Sequence, residues 1–119
     1  MPALHIMTKI LKISKEFSRT PGPRYLREGD FSGELFRNSL LVPAISQAIK
    51  DNYILKIDLD GTAGYGTSFL EESFGGLIRE NHLDYNAILK HVEFISQEES
   101  YLTEDILEYL GDANERLTR

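Results

Sequence analysis

A chain of 119 residues, 41% hydrophobic and 27% charged, is long enough to bury a core without covalent staples, which excludes wholesale disorder. It has no cysteine, so disulfides, thiolate metal sites and cysteine nucleophiles are excluded together. The net charge of −6 weighs against a nucleic-acid partner, because a phosphate backbone calls for a basic surface.

Lys9 to Ser14 reads as the first strand. Lys9 and Lys12 break its apolar run, leaving neither a signal-peptide core nor a membrane span, so a cytoplasmic location is expected. Pro21-Gly22-Pro23 then enforces a turn or an extended excursion, and Tyr25-Leu26 is expected to add a short edge strand. A helix starts at Ser32, whose hydroxyl can cap free amides while Phe31 packs on Phe36 one turn in. Its apolar stripe runs through Phe36, Leu40, Leu41, Ala44, Ile45, Ala48 and Ile49. Pro43 removes one backbone donor and is expected to kink the helix near Ser39.

Tyr53 to Leu59 alternates, with Tyr53, Leu55, Ile57 and Leu59 on one face and Ile54, Lys56 and Asp58 on the other, as in a sheet covered mainly on one side. A helix from about Phe69 to Glu80, a strand from His91 to Ser96 and a helix from about Thr103 to Leu117 complete the chain. Strands alternating with helices predict one α/β domain over residues 1–119. Its sheet is mixed and mostly parallel, and right-handed crossovers place the helices mainly on one face. Charge is uneven: Lys9, Lys12, Lys15, Arg19, Arg24 and Arg27 face only Glu16 early on, whereas the tail from Glu93 is acidic. Either the two ends offset one another on the surface, or the first forms a basic partner-docking patch.

Asp58-Leu59-Asp60-Gly61-Thr62 matches the nucleophile motif of haloacid dehalogenase-type phosphatases, with Asp58 as nucleophile, Asp60 as general acid/base and Mg²⁺ held by further carboxylates. Gly111-Asp112-Ala113-Asn114-Glu115 is similar to the acidic metal motif of that superfamily. Three observations weigh against this alternative. Only Ala63 to Thr67 separates the motif from the next helix, the strand bearing it is not the first, and Asp112 falls on a helix instead of at a strand end. Otherwise Asp58 and Asp60 form a solvated strand end before a Gly61 turn. A third class, a small-ligand pocket at Gly64-Tyr65-Gly66, rests on glycine content. His5, His82 and His91 lack metal-ligand spacing and are expected at the surface or its boundary; no metal or cofactor is expected.

Ser68-Phe69-Leu70-Glu71 fits a capping box and so predicts a capped helix start. Phe69, Leu70, Ser73, Phe74, Leu77 and Ile78 share its core half; Ser68, Glu71, Glu72, Gly75, Gly76 and Arg79 share the other. Adjacent Gly75 and Gly76 cost about 1 kcal/mol each inside a helix. Either close packing against another element offsets that cost, or the bare backbone is a shallow surface for a partner. Thr67 and Ser68 lie where helix amides favour an anion, which makes them candidate phospho-acceptors, unless Ser68 is a plain cap.

The run IDLDGTAGYGTSFLEESFGGL, with GPRYLREGDFSGELFRNSLLVPAI upstream, resembles a bacterial family of STAS-like domains of unknown function, over about residues 8 to 97. Its most specific part is Ser68 to Leu77. That family looks related to the anti-sigma factor antagonists, small α/β domains that bind a serine kinase of the histidine-kinase-like ATPase type. The resemblance implies a STAS-like fold and a non-enzymatic regulatory module acting by protein-protein contact. Gly66-Thr67-Ser68-Phe69 occupies the positions of the relatives' Asp-Ser-Ser-Gly, where a phosphorylated serine breaks partner binding; Gly66 replaces the aspartate and Phe69 the glycine. Docking is expected through the Gly66 to Ser68 loop and the exposed face of the following helix, where Glu72, Gly75, Gly76 and Arg79 form a strip, and Gly76→Gln is expected to abolish docking while leaving the fold intact.

Overall fold

The computed structural model describes residues 7–118. Three strands, β1 (Thr8–Lys12), β2 (Ile54–Asp58) and β3 (Val92–Ile95), form a sheet in the order β1-β2-β3, with both pairs parallel. Leu55 lies beside Lys9 and Val92, and Ile57 beside Leu11 and Phe94, so these rows face the core. The opposite rows, with Ile10, Lys56 and Glu93 side by side, carry the exposed Ile10. The predicted alternation of β2 is therefore realised: Tyr53, Leu55, Ile57 and Leu59 are buried, while Ile54, Lys56 and Asp58 are half-buried.

The helices are α1 (Ile13–Glu16), α2 (residues 33–51), α3 (residues 67–79), α4 (Tyr85–His91) and α5 (Tyr101–Leu117). A parallel sheet in sequential order with right-handed crossovers stacks its connecting helices on one face, and the core forms there. Tyr25-Leu26 is no strand; a short 3-10 turn over Leu26–Glu28 stands in its place. The four-residue α1 and the seven-residue α4 were not expected, and α4 is capped by Asp84, whose carboxylate accepts from Ala87 N at 2.9 Å. No helix among the described residues is long and apolar enough to cross a membrane.

Two of the three long helices, α2 and α3, contain a π-turn. In α2 it spans Arg37–Leu41, with Val42 N–H donating to Arg37 O, directly before Pro43. The proline cannot donate to Ser39 O, so the ladder loosens at the predicted place without ending. Ser32 caps α2 by accepting from Leu35 N at 3.0 Å, as expected. Phe31 packs differently: its ring meets Phe17 at 5.6 Å, and Phe17 meets Phe36 at 5.1 Å. Phe36, Phe69 and Tyr65 continue that aromatic row into α3.

Candidate functional site

Helix α3 begins at Thr67, with Gly66 as its cap, two residues earlier than the capping box implied. Ser68 therefore lies inside the first turn, and Glu71 points its carboxylate away from it, toward Arg24 and Arg79. Gly66, Thr67 and Ser68 are all exposed. One turn later the chain enters the second π-turn, Glu71–Gly75, which faces the π-turn of α2.

The crossing of α2 and α3 depends on two glycines. A Cβ on Gly33 would lie 2.6 Å from Phe69 O, and one on Gly76 would lie 2.9 Å from Arg37 Cδ. Burial of Gly75 and Gly76 thus answers why two glycines sit in one helix: the missing side chain of Gly76 makes room for Arg37, and that of Gly75 for the Glu71 carboxylate. Glu72, Gly75 and Gly76 are buried, so the exposed docking strip expected from helical periodicity does not exist in that form. Helical periodicity puts these residues opposite Phe74 and Leu77, but α2 and α5 cover that side as well. A glutamine at Gly76 would have to displace Arg37, so that variant cannot serve as a surface change.

Arg37 and Glu72 form a buried ion pair between the two π-turns, and Arg37 also donates to Glu72 O at 2.8 Å. Arg24 extends the cluster, donating to Glu71 at 2.5 Å and to Glu72 at 3.3 Å. Arg79 closes it at 2.9 Å from Glu71 and 3.3 Å from Glu72. Three guanidinium groups thus surround two adjacent carboxylates. Burial by itself would raise the pKa of Glu71, but hydrogen bonds and charge from Arg79 and Arg24 outweigh it and hold the carboxyl below the usual range. The cluster locks the early basic segment to α3, which is where part of the uneven charge is neutralised.

Sequence reasoning missed Arg37, although a signal was present. Arg37, Leu41, Ile45 and Ala48 recur at helical spacing, and all four are buried. A cation on an apolar stripe calls for a buried carboxylate opposite it, because an unpaired buried charge is costly.

Asp58 and Asp60 stand elsewhere, at the carboxyl end of β2. Lys12 Nζ lies 3.1 Å from Asp58, whose other oxygen accepts from Asp60 N at 3.0 Å. Asp60 accepts from Gln97 N and Glu98 N, both at 3.0 Å, and so ties the β2-α3 loop to the β3-α5 loop. Among the described residues no three histidine, aspartate or glutamate side chains are placed to hold a metal ion, and Asp112 borders the arginine cluster instead of the Asp58 loop. In the Gly64-Tyr65-Gly66 segment the Tyr65 hydroxyl donates to Leu59 O at 2.8 Å, an anchoring role. His91 is buried, its Nδ1 3.1 Å from Tyr53 O, while His82 is exposed; His5 lies outside the described residues.

Searches among curated proteins and among solved structures each returned no match. The family described as STAS-like domain of unknown function (DUF4325) matches residues 32–102, which include α2, β2, α3, α4 and β3 and hence both π-turns. More than half of the chain is covered, and the α/β architecture with a parallel sheet agrees with that fold: the protein belongs to the family of STAS-like domains.

Proposed function

We propose that this STAS-like domain is a non-enzymatic regulatory module that acts by contact with a partner protein, with Gly66, Thr67 and Ser68 as its docking point. One observation carries this reading: the three residues open α3 at the surface, and nothing lies within 4 Å of a Cβ built on Gly66. Half-exposed Arg79 adds a contact farther along the helix. Glu72 and Gly76 contribute from beneath by seating Arg37, and Gly75 by leaving room for Glu71, which together fix the helix that presents the docking point.

The resemblance to anti-sigma factor antagonists makes a histidine-kinase-like ATPase the partner, and phosphate on Thr67 or Ser68 the switch. Such a phosphate adds about two negative charges at the helix start, one turn from Glu71, and would repel a partner docked there. The test is capture of tagged protein from its native lysate beside Thr67→Glu and Ser68→Glu, with mass spectrometry of the peptide from Tyr65 to Arg79. The expected result is an ATPase of that type retained by the wild type, lost from a glutamate variant, and phosphate on Thr67 or Ser68. Capture that neither variant alters, with an unmodified peptide, would remove the docking point from the reading.

A further inference from the structure

The arginine cluster has a second side. Between α3, α5 and the segment before α2 lies a cavity of about 480 Å³, where Arg24, Arg79 and Arg116 converge with the rings of Tyr25 and Tyr109 and the carboxylate of Asp112. Glu71 forms part of the wall where Arg24 and Arg79 meet it. Arg24 pairs with Glu71 and Glu72, Arg79 with Glu71, Glu72 and Glu80, and behind them Arg37 pairs with Glu72. Arg116 is exposed on the last turn of α5 and makes no ion pair among the described residues.

Guanidinium groups present forked donors that match phosphate oxygens, and an anion entering here competes with Glu71 for donors already in place. The cavity exceeds what a phosphate group alone fills and lies within the ~300–1,000 Å³ common for small-molecule sites. The tyrosine rings offer a wall for an organic portion, and Asp112 an acceptor for its hydroxyl or amino groups. We propose that this cavity binds a small organic phosphate monoester, its phosphate held by Arg79 and Arg116 and its organic group against Tyr25 and Tyr109. The proposal is independent of the docking role at Gly66 to Ser68.

Adenosine 5′-monophosphate, adenosine and inorganic phosphate serve as probes, titrated into ¹⁵N-labelled full-length protein. Saturable shifts centred on Arg79, Tyr109, Ala113 and Arg116 are expected with the monophosphate, together with competition by inorganic phosphate. Arg116→Gln, at an exposed position, should leave the melting temperature unchanged and weaken the monophosphate about tenfold, as loss of one charge-assisted contact does. The proposal is overturned if adenosine binds as tightly as its monophosphate, if no saturation is seen up to about 10 mM, or if Arg116→Gln binds like the wild type.

Discussion

The chain carries two close pairs of carboxylates, Asp58 with Asp60 and Glu71 with Glu72, and the fold gives them opposite surroundings. The aspartates stand at a strand end, where one side-chain cation, Lys12, and the backbone amides of Asp60, Gln97 and Glu98 occupy them. The glutamates lie inside a π-turn, where three arginines converge and Glu72 is buried. In sequence the aspartates look like chemistry and the glutamates like a solvated face. A carboxylate's role is set by what the fold brings opposite it, and the opposing Arg24, Arg37, Gln97 and Glu98 lie 35 to 48 residues away along the chain.

The sharpest way to break the comparison is Glu72→Ala. It leaves Arg37 buried opposite no full carboxylate partner, and loss of one member of a buried pair costs about 3–5 kcal/mol. Urea denaturation should show that loss; a change below 1 kcal/mol, on the scale of exposed pairs, would place Glu72 with the surface charges. Asp60→Ala comes next. It removes the acceptor for two amides on an exposed loop, for about 1 kcal/mol, and hydrogen exchange should quicken at Gln97 and Glu98 while α3 stays protected. Unchanged exchange there would deny the loop tie.

The smallest effect concerns pH. Because Glu71 is held below its ordinary pKa in the folded state, its contribution is present above the unfolded value, about 4.3, and is lost as pH falls through the lower folded value. Stability should therefore drop on acidification between about pH 5 and pH 3, and less steeply in Glu71→Gln. Equal slopes for the two proteins would mean that Arg24 and Arg79 do not hold Glu71 in solution.

By itself the sequence determined what depends on neighbours along the chain. The alternation from Tyr53 to Leu59, the Ser32 cap and the loosened ladder before Pro43 arise within a few residues, and each is found where the pattern put it. The STAS-like family was likewise legible, in the run from Ser68 to Leu77. Only the tertiary structure decided the rest. Periodicity sorts the residues of α3 into two halves, but it cannot say that α2 and α5 cover the second half too, so Glu72, Gly75 and Gly76 read as surface. The short α4 lacked a stripe long enough to register, and its Asp84 cap was the only local sign. The arginine-lined cavity draws on the segment before α2, on α3 and on α5, elements that only folding brings together. Local patterns fix which face of an element is apolar; which element lies against it, and with what charge, is settled by long-range packing.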